Sequence, residues 1–262
     1  MIAGMARAAV VFGRDDWLAS AKKALGFIRA TMWTNGRLLA TYKDGKAHLN
    51  AYLDDYAFLL AALLELLQAE FDPAALAFAE DLAEVLLEQF EDKDKGGFFF
   101  TSHDHEKLIH RPKPGYENAT PSGNGVAAFA LQRLHFLTGE SRYALAAERT
   151  LAQFHSELRE HPGGHATLLA ALEERQQPTR TVILRGPRRR DEPLARRARA
   201  ALRAPDHGDR DRRRRERPAA GSGEARRRRG SSAWVCEGTS CLAPIDRLEQ
   251  LVEQVFKPEK IQ

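Results

Sequence analysis

The sequence predicts an all-α protein in which helical hairpins form part of a toroid, with a small β-hairpin and a short α/β tail. Two observations predict this fold. Nearly apolar segments alternate with amphipathic segments of helical period over the first 158 residues. A three-residue pattern that ends at Ala21, Ala79 and Ala147 also recurs in the amphipathic segments, at spacings of 58 and 68 residues. Buried helices that alternate with half-buried ones fit concentric rings of inner and outer helices.

The predicted helices form three hairpins followed by one shorter helix. In each hairpin the first helix is almost wholly apolar and the second is amphipathic. The hairpins cover residues 1–12 with 15–29, 53–67 with 73–90, and 122–137 with 141–158, and the shorter helix covers residues 164–176. An α-solenoid, whose repeats are usually ~34 to 47 residues long, and an ordinary helical bundle remain alternatives.

Three hairpins do not close a ring of six, and the chain begins inside an apolar helix without a cap before it. We therefore expect a piece of a longer protein. Inner helices without neighbours would expose apolar surface, which would allow self-association.

Residues 187–231 differ in composition from the rest of the chain. They hold 17 of the 40 lysines and arginines but 7 of the 36 acidic residues, so the remaining chain is acidic. Because the segment has no aromatic and no β-branched aliphatic side chain, it is predicted to be disordered. It has no Phe, Tyr or Trp ring on which a base could stack, which argues against a nucleic-acid partner. The predicted domains are residues 1–186, residues 187–231 and a tail of residues 232–262.

The sequence predicts no membrane segment and no secretory signal. The longest apolar window, residues 56–67, is interrupted by Glu65 and is shorter than the ~20 residues that span a bilayer. Two cysteines, Cys236 and Cys241, exclude a disulfide scaffold and favour a reducing compartment. Their spacing fits neither zinc nor a redox motif, so we interpret them as structural and expect a cytoplasmic protein without a membrane partner.

Three polar clusters lie in or beside the loops that precede apolar helices. They are residues 53–58, residues 96–110, which the sequence predicts as a β-hairpin, and residues 111–125. In up-and-down hairpins all inner helices run in the same direction, so the loops that precede them gather at one end of the ring. The topology therefore predicts a concave mouth surrounded by Asp54, Tyr56, Arg111, Glu117 and Asn124.

Asp54 and Glu117 are the predicted catalytic pair. Glycosidic chemistry uses two carboxyl groups ~5 to 9.5 Å apart. Asp54 fits equally well as a charge at a helix N-terminus, where the macrodipole favours it by ~0.3 to 1 kcal/mol. Neighbouring helical side chains point about 100° apart, so at most one of Asp54 and Asp55 faces a cavity.

The predicted substrate-binding residues are Asp55, Tyr56, Arg111, Lys113, Ser122 and Asn124. Arg111 and Lys113 suit a carboxylate or a phosphate, and a surface pair screened by water is the alternative. Ser122 or Thr120 caps the helix that follows, where a sugar hydroxyl or an anion could bind. The three nearby histidines, His103, His105 and His110, fit polar turns better than a metal site. We expect no metal and no cofactor.

Several motifs occur in the order found in a known family. They are Asp54-Asp55-Tyr56-Ala57-Phe58, Gly96-Gly97-Phe98-Phe99, Arg111-Pro112-Lys113, Ala119-Thr120-Pro121-Ser122-Gly123-Asn124, and a tail from Ala233-Trp234-Val235-Cys236 to Cys241-Leu242-Ala243-Pro244. Together they resemble the C-terminal half of thioredoxin domain-containing proteins of the bacterial YyaL type, relatives of animal spermatogenesis-associated protein 20. The resemblance covers residues 1–187 and 232–256. It implies an (α/α)6 toroid like those of six-hairpin glycosidases and N-acylglucosamine 2-epimerases, preceded in full-length members by a thioredoxin-like domain.

The sequence departs from this family at three places. Glu117 stands where the family tends to carry Asp, and Gly125 stands where it tends to carry Ser. Residues 187–231 do not resemble the family, and their composition is typical of a reading frame translated out of phase. We interpret them as the product of compensating frameshifts near Pro187 and Ser231, with a natural basic insert as the alternative.

Two functions follow from the resemblance and the predicted mouth. The first is a fragment of a toroid that binds or processes a carbohydrate, with epimerase-like or glycosidase-like chemistry if it is an enzyme. The alternative is a non-catalytic toroid that binds a protein partner and serves a thioredoxin-like domain.

Overall fold

The computed structural model describes residues 1–106, 108–177, 180–185, 232–237 and 240–256. They belong to two compact units, Met1–Pro178 and Thr179–Gln262. The first unit contains the helical hairpins, and the second contains the strands and the helix of the tail. The predicted disorder of residues 187–231, and the frameshifts proposed for them, lie outside the described residues.

Helices pair into hairpins in the first unit, as predicted. The pairs are α1 (Ile2–Phe12) with α2 (Asp15–Thr31), α3 (Leu53–Ala69) with α4 (Pro73–Val85), and α5 (Gly123–Thr138) with α6 (Ser141–Gln153), and α7 (His155–Glu160) and α8 (Ala166–Gln176) follow. A π-helical turn, Leu86–Phe90, extends α4, and a 3-10 turn, Pro162–Gly164, precedes α8. Helix α1 packs against α3, α3 against α5, and α5 against α8, so these four form an inner layer.

Burial separates the inner helices α3 and α5 from the outer helices α4 and α6, whereas the inner helices α1 and α8 are mostly half-buried or exposed. α3 is apolar nearly all round because α1, α4 and α5 pack around it, and Leu60 and Leu63 have no exposed surface. The amphipathic helices α4 and α6 bury one face each, with Phe78 and Tyr143 as their largest buried side chains. The predicted alternation of buried and half-buried helices holds for the second and third hairpins, but not for the first, because α1 is mostly half-buried or exposed. The all-α fold class is confirmed.

The β-hairpin lies elsewhere than predicted. Strands β1 (Trp33–Thr34), β2 (Arg37–Lys43) and β3 (Lys46–Asn50) form an antiparallel sheet in the loop between α2 and α3. The two turns are Asn35-Gly36 and Asp44-Gly45, and all four residues have φ between 51° and 77°. Such two-residue turns match the twist of hairpin strands, and Asn-Gly and Asp-Gly favour them because they tolerate positive φ.

The prediction of a β-hairpin over residues 96–110 is wrong. The described residues of this segment form no strand, and an isolated bridge joins Phe98 to Glu91. The backbone groups find other partners: the Phe99 amide donates to the Phe90 carbonyl, and the Phe100 amide donates to the Pro112 carbonyl. A run of aromatic residues resembles a strand in sequence, but here it is an irregular segment.

The second unit contains the predicted α/β tail together with β4, which the sequence analysis placed in the domain of residues 1–186. Strand β4 (Arg180–Arg185) pairs with β5 (Ser232–Glu237), which pairs with β6 (Ser240–Cys241), and α9 (Leu248–Phe256) covers the sheet through Leu251. β4 and β5 pair antiparallel over their whole lengths, from Arg180 opposite Glu237 to Arg185 opposite Ser232.

Cys236 and Cys241 form a disulfide that joins β5 to β6. This is a structural role, as expected, but it departs from the expectation of a reducing compartment, where disulfides are rare. No helix in the described part of the chain is long and apolar enough to cross a membrane. The cytoplasmic location stays a prediction.

Candidate functional site

The N-terminal ends of the inner helices α3, α5 and α8 meet at one end of the first unit. Two glycines in the first turn of α5 allow this approach. A Cβ at Gly123 would overlap the carboxylate of Asp54 on α3, and a Cβ at Gly125 would lie 3.0 Å from Cβ of Thr167 on α8. We name these contacts the Asp54 junction (Gly123 with Asp54) and the Glu117 junction (Gly125 with Thr167, which Glu117 caps). The structure thus brings the inner-helix ends together, as the topology predicted.

Asp54 has a carboxylate oxygen without a partner. Its Oδ1 is buried against Gly123 and accepts no hydrogen bond. Burial raises the pKa of the Asp54 carboxyl group, the charge of Asp55 raises it further, and the amide of Gly123 opposes both effects. A buried acceptor that is left unpaired is rare in folded proteins, and it marks Asp54 as the candidate functional group.

Asp55 stabilises the start of α3. Its Oδ2 accepts a hydrogen bond of 2.9 Å from the amide of Tyr52, the residue before the helix. Burial raises the pKa of the Asp55 carboxyl group, and this hydrogen bond partly offsets the increase. The two neighbouring carboxylates therefore differ, and the structure gives Asp55 a capping role rather than the predicted contact with substrate.

Tyr56 lies in the core rather than at a mouth. The side chain has no exposed surface, and its hydroxyl oxygen accepts a 2.8 Å hydrogen bond from the amide of Leu38 on β2. Nε of Arg37 donates to the same oxygen at 3.4 Å, and Arg37 also forms a two-pronged ion pair with Asp104. Tyr56 thus fastens the β-sheet to α3, which differs from the substrate contact expected of it.

Glu117 caps α8. Its Oε1 accepts a 2.7 Å hydrogen bond from the amide of Thr167 in the first turn of that helix, and its own amide donates to the carbonyl of Gly164. The neighbouring Tyr116 packs on Gly164, with its ring 5.6 Å from that of His165. Glu117 therefore lies beside the α5 end, as predicted, with one oxygen bound to the backbone.

Ser122 and Asn124 form bonds that hold the loops in place. Oγ of Ser122 accepts from the amide of Gly125, 3.0 Å away, and so caps α5. Asn124 is fully buried: its Oδ1 accepts from the Phe98 amide at 2.7 Å, and its Nδ2 donates to the carbonyls of Phe98 and Pro114. Asn124 has no free side-chain oxygen for a ligand, so its role is structural rather than the predicted substrate contact.

Lys113 is held by protein groups as well. Its Nζ lies 2.8 Å from the carboxylate of Asp92 and 3.0 Å from the carbonyl of Gly96, and both charged side chains are mostly buried. The Lys113 ammonium holds the pKa of Asp92 below its ordinary value. This contact fixes the turn that precedes Gly97, and the substrate contact expected of Lys113 stays a prediction. Arg111, in contrast, meets no carboxylate among the described residues.

The histidines do not converge with other ligands. No group of three or more His, Cys, Asp or Glu side chains in the described ranges is placed to hold a metal ion. The ring of His105 packs 5.3 Å from that of Tyr52, and its Nδ1 is buried without a partner. The sequence interpretation missed the Arg37–Asp104 pair. The Asn35-Gly36 turn, a strong hairpin signal, would have placed Arg37 at this end.

The paired helices and their aligned N-terminal ends define the chain as an all-α protein of helical hairpins with an inner and an outer layer. No family model matches the sequence. The chain is 30% identical to human spermatogenesis-associated protein 20 over 199 residues, or 72% of this chain and 25% of that protein. It is 28% identical to the rat protein of the same name over 213 residues, covering 77% of this chain and 26% of the relative.

The chain is therefore a relative of spermatogenesis-associated protein 20, as its motifs predicted. It spans about a quarter of the length of these curated relatives. Among solved structures, a cellobiose 2-epimerase from Spirochaeta thermophila matches with a TM-score of 0.47 and 22% sequence identity, over 58% of this chain and 40% of that one.

Proposed function

We propose that the chain forms part of a carbohydrate-binding toroid, with its site at the N-terminal ends of α3, α5 and α8 and with Asp54 as the functional carboxyl group. The observation that supports this is the unpaired Oδ1 of Asp54, the one buried carboxylate oxygen without a partner among the described residues. Sugar hydroxyls are hydrogen-bond donors that would satisfy it. The raised pKa of Asp54 suits a proton donor, because a carboxyl group must keep its proton to act as a general acid.

The surroundings of Asp54 support a sugar as the ligand. Half-buried Tyr52 and Phe100 stack with their ring centroids 4.9 Å apart, and the Phe100 carbonyl accepts from the amide of Leu53, next to Asp54. Ligand sites of small molecules combine such apolar walls with a few polar groups. We propose Glu117 as the second carboxyl group, held in position by its bond to Thr167.

Calorimetric titration of the chain with a panel of neutral monosaccharides and disaccharides tests this proposal. We expect Asp54→Asn to reduce affinity at least tenfold and to leave the helical circular dichroism unchanged, since Asp54 fills no part of the core. Asp81→Asn is the control: it changes an exposed carboxylate on α4 in the same way and should leave sugar affinity within twofold of the wild type. Equal affinities of the wild type and Asp54→Asn would contradict the proposal.

A second candidate function is a non-catalytic toroid that binds a protein partner, such as a thioredoxin-like domain. The loop before α5 favours it, because Ile109 is fully exposed and Tyr116 is 67% exposed. This function would be favoured over the first if no sugar in the panel bound and if a thioredoxin-like domain bound to the wild type more tightly than to Ile109→Ser.

A further inference from the structure

Neutral groups hold the guanidinium group of Arg111. Its carbon lies 4.2 Å from the ring centroid of Phe99. Nε donates to the hydroxyl of Thr101 at 3.4 Å, Nη2 donates to the carbonyl of the same residue, and Nη1 lies 3.2 Å from Nδ1 of His103. Stacking on an aromatic face and two bonds to one residue fix the plane of the group, so that little side-chain freedom remains to be lost on binding.

Arg111 differs from the nearby Arg37 and Lys113 in that it has no carboxylate partner among the described residues. Arg37 pairs with Asp104, and Lys113 pairs with Asp92, whereas Arg111 forms no ion pair with a carboxylate in the described residues. Burial lowers the pKa of the Arg111 guanidinium, and the more distant charge of Asp92 opposes this. A partly desolvated cation without a counter-ion is unfavourable, and an anionic ligand would remove that penalty.

The donors of Arg111 are only partly used. A guanidinium carries five N–H donors in a planar fork, and its contacts with Thr101 and His103 use three of them. The two N–H groups that remain belong to Nη1 and Nη2. One N–H group on each of these nitrogens is therefore available to donate to an oxygen of a carboxylate or phosphate.

A short hydrogen-bonded path connects Arg111 to the helix that carries Asp54. The Phe100 carbonyl accepts from the amide of Leu53 at 3.0 Å, and the Phe100 amide donates to the carbonyl of Pro112, the residue after Arg111, at 2.8 Å. Phe99 and Thr101, which hold the guanidinium, lie on either side of Phe100. The start of α3 and Arg111 are thus fastened to one segment.

We propose that Arg111, fixed by Phe99, Thr101 and His103, binds the carboxylate or phosphate group of an acidic sugar. The inference deepens the proposed function and rests on it for the sugar part of the ligand. It assigns the substrate class: a sugar phosphate or a uronic acid rather than a neutral sugar. Asp54 would meet the hydroxyls, and Arg111 would meet the acidic group.

Calorimetry with inorganic phosphate, glucose 6-phosphate, glucuronate and glucose tests the anion site. We expect both charged sugars to bind at least tenfold more tightly than glucose. Arg111→Gln should remove that advantage and weaken phosphate binding at least tenfold, without changing the affinity for glucose. Arg142→Gln is the control, because Arg142 is half exposed and pairs with Glu84 away from this segment; its affinities should match the wild type.

A second measurement uses the wild-type protein, so it does not depend on whether the Arg111→Gln variant folds. Phenylglyoxal modifies arginines, and peptide mass spectrometry reports the rate at each site. Phosphate should slow modification of Arg111 at least fivefold and leave that of Arg142 unchanged. Equal rates at Arg111 with and without phosphate, or equal affinities for glucose and glucose 6-phosphate, would overturn the inference.

The outcomes separate this inference from the proposed function. If phosphate binds through Arg111 and no sugar binds through Asp54, the anion site stands and the sugar function fails. If glucose binding depends on Asp54 but phosphate neither binds nor protects Arg111, the sugar function stands and this inference fails.

Discussion

The Asp54 junction and the Glu117 junction differ in how a carboxylate meets the end of an inner helix. In both, a glycine of α5 allows close approach to a neighbouring helix. At the Glu117 junction the carboxylate accepts from the amide of Thr167 and so satisfies one of the free N–H groups of α8. At the Asp54 junction the oxygen that faces Gly123 accepts nothing.

This difference separates a carboxylate that is bonded to the backbone from one with an unpaired oxygen, although both lie beside the same helix end. An acidic side chain at a helix N-terminus is favourable through the macrodipole in either case. Only an unmet hydrogen-bonding capacity and a raised pKa distinguish Asp54, and neither can be read from residue type.

The largest expected effect is on the glycines. Gly123→Ala should lower the free energy of unfolding by about 1 to 3 kcal/mol, since its Cβ would overlap Oδ1 of Asp54 and lie 2.9 Å from Cγ of Leu53. At Gly125 the atom nearest to an added Cβ is 3.0 Å away, and a Gly→Ala change inside a helix regains about 0.5 to 1 kcal/mol. Gly125→Ala should therefore lower the free energy of unfolding clearly less than Gly123→Ala. Urea denaturation of the two variants compares them, and equal losses would show that the junctions are equally tight.

A smaller effect is expected when the carboxylates are removed. Glu117→Ala should lower the free energy of unfolding by about 0.5 to 2 kcal/mol, as the loss of a helix cap does, because the amide of Thr167 loses its acceptor. Asp54→Ala removes an oxygen, Oδ1, that has no partner, and should cost at most the ~0.3 to 1 kcal/mol of a helix-end charge. If Asp54→Ala lowered the free energy of unfolding more than Glu117→Ala in the same denaturation series, Asp54 rather than Glu117 would be the carboxylate that stabilises a helix end.

Much of the fold follows from the sequence because inner and outer helices bury different fractions of their surface. The apolar residues 53–67 and the one-sided residues 73–90 correspond to α3 and to α4 with its π-helical turn. The sheet could have been predicted too, from Asn35-Gly36 and Asp44-Gly45. The strand predicted over Phe98 to Phe100 was wrong because an aromatic run fits a strand and a packed loop equally well. The backbone of Phe98 bonds the side chain of Asn124, which is distant in sequence, rather than a neighbouring strand.

The site was predictable in place but not in detail. Hairpin topology alone brings residues 53–56 and 117–124 to one end. The partner of each polar atom depends on contacts between distant segments: the hydroxyl of Tyr56 meets Leu38, and Lys113 meets Asp92. No periodicity reports such pairs, so Tyr56, Lys113 and Asn124 were expected to meet substrate although the structure pairs them within the protein.

The smallest effect concerns pH, and it tests the Asp54 junction alone. Because the pKa of Asp54 is raised above its ordinary value of 3.8, the folded state binds this proton more tightly than the unfolded chain does. The resulting stabilisation is fully present below 3.8 and is lost as pH rises through the folded pKa. The free energy of unfolding of the wild type, relative to Asp54→Asn, should therefore increase as pH falls from neutral toward 3.8.

Asp55→Asn separates the two causes of the shift. Removing the neighbouring charge should lower the pKa of Asp54 but keep it above the ordinary value, because burial, the larger cause, persists. NMR titration of the Asp54 carboxyl carbon in the wild type and in Asp55→Asn measures both contributions. A pKa at or below 3.8 in the wild type would mean that the Gly123 amide outweighs burial and that the junction satisfies Asp54 as fully as Thr167 satisfies Glu117.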